Sequence, residues 1–493
     1  MNSPFNEAKY KALLEGLEIS VLSFKEYSKE NFEFRLDAEY FLKTNIRRLR
    51  LLSKIGYEKI SSFAYVTDGI HTSIDYCDKS NVNLFSATTP RENYFDLSRQ
   101  VFISEKAHIL NPRTALKEND IIISTVGTIG NCAVVNKNVL PANSDRHVGI
   151  VRLKNNDFYP RYVSTFLLSK YGRFQTWRES TGNVQLNLFL YRIRTIKIAK
   201  LSIIFQKRIE KLILLNDSQR HKAQQIYTQA ESLLLETLNL KDFEPSQEPV
   251  NIKNFAESFG KTGRLDAEYY QKKYEEIIDK VKSVNHEKLG SIVDITKSIE
   301  PGSDVYAETG VPFIRVSDYN KFGLSTPDKY LDDQFVGANE EQIKTLMPKN
   351  GDILFSKDGS VGTAYLLKED GNFITSGAIL HLKVKRDKEI LPEYLTLALN
   401  SVLVQMQAER DAGGSIILHW RIDQIKNVVV PIIEINKQKE IAKAINESFR
   451  LKVQSEQLIE IAKKAVEIAI EECEDSAIDF INKNSNQDAN NLY

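Results

Sequence analysis

Arg35-Leu36-Asp37-Ala38-Glu39-Tyr40-Phe41 recurs as Arg264-Leu265-Asp266-Ala267-Glu268-Tyr269-Tyr270, 229 residues further on. Self-similarity at a fixed period decides the architecture before any local reading does. Downstream, Asp120–Ser124 matches Asp352–Ser356 at an offset of 232. Gly127, Gly130, Pro160, Tyr162, Gly182 and Gln206 fall at that same offset on Gly359, Gly362, Pro392, Tyr394, Gly414 and Gln438. One offset held this long makes the chain two tandem copies of a unit of about 230 residues.

Each unit has two parts. The first reads as mixed α/β, with short apolar strands such as Ile121–Ser124 and Ile379–Val384 broken by Gly, Asn, Asp and Pro turns. A short helix is predicted after each Pro, over Arg161–Lys170 and Glu393–Asn400. The twin Arg-Leu-Asp-Ala-Glu-Tyr segments have two readings. They open the first helix of each unit, with Asp37, Glu39, Asp266 and Glu268 in the first turn where acids suit the dipole, or they are a docking surface used twice.

The second part is a long helix. Phe205, Ile209, Leu212, Asn216, Gln219, Ala223, Ile226, Ala230 and Leu233 alternate steps of four and three. The copy, 232 residues on from Ile209, is Ile441, Ala444, Ser448, Leu451, Ser455, Leu458, Ala462 and Ala465, and its register continues to Ala469. Both helices therefore share one heptad seam interrupted by polar residues at corresponding places. A seam faces either its own globular part or the other helix. Pairing is the sharper reading, since Ala223, Ala230, Ala444, Ala462 and Ala465 permit close approach, while Asn216, Gln219, Ser448 and Ser455 fix register. The fold class is then α+β: two tandem α/β parts separated by two long helices forming an antiparallel coiled coil, with pseudo-twofold symmetry. About 35 helical residues would span roughly 50 Å, or about 15 base pairs of duplex.

Composition bounds the function more loosely. The 493 residues are 42% hydrophobic and 27% charged, which suits well-formed cores under a soluble surface. The 66 basic and 66 acidic residues cancel, so any basic face must be a segregated one. No apolar run approaches the roughly 20 residues a membrane helix needs, and Met1–Glu18 has no signal-peptide core. Cys77, Cys132 and Cys473 are far apart and odd in number, which fits neither a metal site nor a disulfide framework. A reducing cytoplasm is the expected setting. Catalytic motifs are wanting: Phe255 stands where a phosphate-binding loop ending at Gly260-Lys261-Thr262 needs its first Gly. His286-Glu287 lacks the second His of a zinc-protease helix, and neither a Gly-x-Ser-x-Gly elbow nor an Asn-Pro-Pro-Tyr-type adenine pocket occurs.

Four segments together resemble the specificity (S) subunits of type I restriction–modification systems, over about Arg35–Glu472. They are Asn119–Gly130 with its copy Gly351–Gly362; Thr67-Asp68-Gly69-Ile70-His71-Thr72, similar to the family's Asp-Gly-x-His segment; Val311–Asp318, similar to its entry strand; and Val430-Pro431 leading through Gln438 into a long helix. The chain departs from the family in Asn119, where its second copy has Gly351, and in Ile196–Lys200, which lacks the equivalent of Pro431. An N-terminal extension over 1–34 is a third departure; the resemblance implies a first target recognition domain over 35–200, a central spacer helix over 201–239 and a linker over 240–263. A second recognition domain follows over 264–431, then a spacer helix over 432–475 and a flexible tail over 476–493.

The family's function implies a non-catalytic chain that reads one half of a split duplex site with each recognition domain. Its partners would be double-stranded DNA, two methyltransferase subunits and the motor-nuclease subunits. S-adenosylmethionine, ATP and Mg would be bound by those partners, with no cofactor or metal in this chain. Candidate DNA contacts are Asp68, Gly69 and His71 by resemblance. Thr125, Gly127, Thr128 and Gly130, and in the second copy Lys357, Gly359, Ser360 and Gly362, form turns that either tie strands or approach phosphate. Arg146, His147, Arg315 and Ser317 place polar donors beside strands, as base edges require or as solvated strand faces show. Asn183, Gln185, Gly414 and Ser415 lie in corresponding polar loops that contact DNA or turn the chain. Two further readings stand beside this one: the specificity partner of a fused methylase-nuclease, and a coiled-coil scaffold joining two protein-binding modules.

Overall fold

The computed structural model describes residues 6–18, 20–28, 31, 34–98, 100–182, 185–414 and 416–485. The chain divides into two compact units, unit 1 from 1–220 and 453–493 and unit 2 from 221–452. Each is built to one plan.

Unit 1 centres on a four-stranded sheet of β1 (Ala64–Asp68), β2 (Ile121–Ser124), β3 (Cys132–Val134) and β4 (Val148–Leu153), in the antiparallel order β1-β4-β2-β3. Unit 2 repeats it with β5 (Val293–Lys297), β6 (Ile353–Ser356), β7 (Ala364–Leu366) and β8 (Ile379–Val384), ordered β5-β8-β6-β7. The unbroken apolar runs in β2 and β6 have a simple cause: these strands are covered on both faces. Ile121 and Ile123 join the main core of unit 1 while Ile122 joins a second cluster with Phe85, Val148 and Ile150. Ile353 and Phe355 are divided from Leu354 in the same way. A second small sheet in each unit ends in a parallel pair, Val82–Phe85 with Ala142–Ser144 and Val311–Ile314 with Ile374–Thr375.

Asn119 and Gly351, the first departure from the pattern, both have positive φ, +71° and +88°. Asn is the non-glycine residue best suited to that left-handed bend, so the exchange keeps the turn. The second departure is equally harmless. Lys197–Ala199 pairs with Tyr57–Lys59 as Val429–Pro431 pairs with His286–Lys288.

The Pro-led helices run Pro160–Leu168 and Pro392–Asn400, and each is followed by a second, Lys170–Glu179 and Val402–Asp411, that the sequence did not reveal. Tyr162 and Tyr394 in the first helices donate to the carbonyls of Ala199 and Pro431 at 2.7 and 2.6 Å. Gln206 and Gln438 accept the amides of Tyr159 and Leu391 at 2.9 and 3.0 Å. The matched residues of the two copies thus hold matched joints. Gln175 and Gln407 do likewise, each bridging to the backbone of Lys197 or Val429.

The long helices are α1 (Ile203–Thr237) and α2 (Ile435–Glu471). The division between units falls inside both. In unit 1 the first half of α1, through Phe205, Ile209, Leu212 and Ile213, shares a core with Leu458, Ala462, Ala465 and Val466 from the second half of α2. In unit 2, Tyr227, Ala230 and Leu234 share a core with Ile441 and Ile445, and Ser448 donates to the Ala223 carbonyl at 2.7 Å. First half meets second half, so the helices pack antiparallel.

Two expectations need correction. Ala38–Phe41 and Ala267–Tyr270 are separate 3-10 turns that precede the first long helices of the units, Lys43–Ile55 and Lys272–Lys282, so the acids do not occupy an α-helical first turn. Leu42 and Gln271 hold the N-cap positions of those helices, and Arg35 and Arg264 hold the Asp37 and Asp266 carboxylates at 2.6 and 2.5 Å. Second, Glu474–Asn484 is a helix within the supposed flexible tail, with Ala477 and Ile481 buried in the core of unit 1.

Candidate nucleic-acid interface

In unit 1 the strand ends bring together most of the candidate residues. β1 leaves the sheet at Asp68, opposite Gly149 at the start of β4, and Ser124 at the end of β2 pairs with Val148. Gly69 must be glycine here: a Cβ would lie 2.1 Å from the carbonyl oxygens of both Ser144 and Asp145. The Asp145 carboxylate accepts the His147 amide at 2.8 Å, and the His147 carbonyl accepts the Thr125 amide at 3.1 Å. Thr125 in turn accepts the Leu188 amide at 2.9 Å, and Thr181 and Asn187 exchange backbone bonds. Thus Asp68–Gly69, Arg146–His147, Thr125–Gly130, Thr181, Asn187 and Leu188 share one end of the sheet.

Unit 2 builds the same cluster. Lys357 donates its amide to Ala378 and accepts from Trp420, Gly359 donates to Leu418, and Gly413 and His419 exchange bonds. Arg315 joins this end because Ser376 donates to the Ile314 carbonyl at 2.8 Å.

The turn glycines have a structural use. Gly182 and Gly414 have φ of +145° and +142°, and a Cβ would lie about 2 Å from the carbonyls of Gln185 and Ile417. The amides of Gly130, Gly359 and Gly362 donate inside the fold, to Ser124, Leu418 and Ser356. They are not available to phosphate. Gly127 is exposed in open space, and its N–H finds no acceptor among the described residues. Thr128 donates its hydroxyl to the Ala87 carbonyl, and exposed Ser360 accepts from Ser356 through its own carbonyl. Asn183 and Ser415 lie outside the described residues; neighbouring Gln185 is exposed.

Charge differs between the units. Arg146 is exposed and meets only the His147 ring, at 3.4 Å, among the described residues. Asp68 is held by His71 and by Arg113, which also bonds the Asp68 and Gly69 carbonyls at 3.2 and 3.1 Å. Burial alone would raise the Asp68 carboxyl, but His71 and Arg113 hold it below the usual range. Arg113 was not singled out in the sequence; it lies 45 residues from Asp68, beyond any local pattern. In unit 2 the cations are occupied. Lys357 pairs with Asp358, both largely buried, so its ammonium is not the phosphate-facing charge expected of it. Arg315 pairs with Asp318 and Asp328, and the Ser317 hydroxyl donates to Asp318. His419 bonds Asp358 at 2.8 Å.

The loops also carry apolar side chains that sequence reasoning passed over. Ile416 is 95% exposed, with Ile417 and Leu418 beside it, and in unit 1 the stacked rings of Phe189 and Tyr191 are about half exposed. The signal was present as an unpaired Ile-Ile-Leu run between Gly413 and His419.

Of the seam residues, Ile209, Leu212, Asn216, Leu458 and Ala462 are buried in unit 1, and Ala223, Ile441 and Ser448 in unit 2. Ile226 and Ala444 are only half-buried, and Tyr227, Ala442 and Ile445 lie deeper. Around Asn216 the seam is polar. The Oδ1 of Asn216, Oε1 of Gln219 and Oε1 of Gln454 are buried without partners among the described residues. Beside them burial pushes the Asp217 carboxyl up to about 6, against the pull of Arg161 at 3.4 Å. Among the described residues no cluster of His, Cys, Asp and Glu could hold a metal, and no helix is long and apolar enough to cross a membrane.

Three solved structures are similar over most of this chain. The type I restriction-modification S subunit from M. genitalium is 12% identical, covering 86% of this chain and 95% of that one, with a TM-score of 0.36. A chain from a study of complex assembly and conformational transition of the type I R-M system is 12% identical over 84% and 97%, with a TM-score of 0.27. The HsdS subunit from Thermoanaerobacter tengcongensis is 14% identical over 86% and 95%, with a TM-score of 0.25. No curated protein matches significantly in sequence. Residues 282–463 match the family model of the type I restriction modification DNA specificity domain. The match takes in β5 to β8, the loop cluster of unit 2 and much of α2, and over those residues this chain is similar to that family.

Proposed function

We propose that this chain is the non-catalytic sequence-reading subunit of a type I restriction–modification complex. Each unit contacts one half of a split duplex site through its loop cluster, and the paired helices set the gap. The carrying observation is that both units assemble the same loops at the same end of the same four-stranded sheet. Two readers on one chain fit a bipartite target, since base edges specify sequence while phosphate contacts only position. Methyl transfer and cleavage fall to partner methyltransferase and motor-nuclease subunits, which bind S-adenosylmethionine, ATP and Mg.

The test is a map of methylated adenines in cells carrying this chain and its partners. The expected result is a two-part motif with a gap of constant length. A continuous motif, or a methylation pattern indifferent to this chain, overturns the proposal. Salt dependence adds a second measure. Binding through phosphates gives a linear fall of log affinity with log salt, whereas a protein scaffold gives no DNA affinity to titrate.

A further inference from the structure

The twin Arg-Leu-Asp-Ala-Glu-Tyr segments are the longest identical stretch singled out between the copies, and most of their side chains point outward. Leu36 is 82% exposed and Leu265 73%, and Asp37, Ala38, Glu39, Asp266, Ala267 and Glu268 are exposed with them. Core positions have diverged freely by comparison: Ile122 and Ile123 stand where the second copy has Leu354 and Phe355. Packing explains identity among buried residues but not among exposed ones. An unchanged surface on two diverged copies points to a shared external contact.

The geometry beneath is also duplicated. Arg35 and Arg178 both stand over the Tyr40 ring, their guanidinium carbons 4.5 and 3.4 Å from its centroid. Arg264 and Arg410 stand over Tyr269 at 4.4 and 4.9 Å. Arg35 also donates to the Arg178 carbonyl at 2.8 Å, and Arg264 to the Asp411 carbonyl at 3.2 Å. Each exposed leucine is therefore the neighbour of an arginine fixed from three directions. A large apolar side chain on a rigid mount is an anchor that loses little entropy on binding. Exposed Phe34 directly precedes Arg35 in the first copy.

Charge selects the kind of occupant. Arg35 and Arg264 are neutralised by Asp37 and Asp266, whose carboxylates remain about two-fifths exposed. Glu39 and Glu268 have no cation partner among the described residues. An acidic rim around an apolar tip repels phosphate and suits a protein socket with a basic edge. Two equal anchors on one chain call for the same partner twice. We propose that the 36–39 and 265–268 turns are two equivalent docking knobs that seat in apolar sockets on two copies of one partner protein. Resting on the function proposed above, that partner is the methyltransferase subunit.

The experiment weighs the intact complex of the full chain with the methyltransferase subunit by native mass spectrometry. The wild-type chain is expected to carry two such subunits, either Leu36→Asp or Leu265→Asp one at matched concentration, and the double variant none. Each substitution should weaken its site roughly 30-fold. Hydrogen exchange on the wild-type chain gives a reading independent of any substitution: 34–41 and 263–270 should both slow when the subunit is added. A folded double variant that still carries two subunits overturns the knobs, as does protection of neither turn, or protection by duplex DNA alone. If the wild-type chain directs no split methylation motif, the functional reading itself has failed. A split motif with unaltered stoichiometry in the double variant removes only the knobs.

Discussion

Asp217 is the residue whose environment most clearly predicts a measurable property. Its folded pKa is raised from 3.8 to about 6, chiefly by burial. Between those values the folded chain keeps a proton that the unfolded chain has released. Stability therefore falls as pH rises through this window, by up to about 1.4 kcal/mol per pH unit, and levels off above it. Melting temperatures of the wild type and Asp217→Asn measured from pH 4 to 7 should differ in slope; parallel curves would contradict the assignment. Gly69 is a second case, since a methyl group there collides with two carbonyls. Gly69→Ala should cost about 1–3 kcal/mol in denaturant unfolding, and an unchanged midpoint would mean that the 69–145 contact yields. At this scale the sequence identified types better than roles. Lys357 and Arg315 read as donors, but the aspartates that neutralise them (Asp358, Asp318, Asp328) do so through side-chain rotamers that no spacing rule encodes. Arg113 escaped notice because its partner Asp68 lies 45 residues away, with three strands and a helix between them.

Among the elements, the strands covered on both faces and the heptad helices were legible because burial imposes a period on the sequence. Lys170–Glu179 was not, and the reason is physical. Its buried positions include the polar Gln175, Thr176 and Glu179 while Trp177 is exposed, so polarity does not mark its faces. Gly172 lets this helix press on the Leu167 backbone, where a Cβ would stand 2.2 Å away. In the long helices the heptad named Ile226, while the deeper position belongs to Tyr227. A straight helix drifts from a 3.5-residue repeat, and the aromatic ring fills the space. Ile209→Ala should therefore cost about 2–5 kcal/mol, and Ile226→Ala well under half as much, by chemical denaturation of otherwise identical chains. Asn216→Leu should raise stability by about 1 kcal/mol, because it removes a buried oxygen that has no partner among the described residues. A loss of stability would show that the polar seam is satisfied by something further.

For the whole molecule, the duplication carried most of the reading, and it was visible because one offset was kept from Asp120 to Gln206. Exchanging residues 35–200 for the recognition domain of another such chain should change one half of the methylated motif and leave the other half intact. A change in both halves would show that the units do not read independently.

The course of the backbone through the units bears on how the chain is made. Unit 2 is one continuous stretch, 221–452, whereas unit 1 needs 453–493 to supply Leu458, Ala462, Ala465, Val466, Ala477 and Ile481 to its core. As the chain leaves the ribosome, the core around Ile209, Leu212 and Ile213 is completed only when Leu458, Ala462, Ala465 and Val466 have been synthesised. The later-made unit can mature first, reversing the usual N-to-C order of folding.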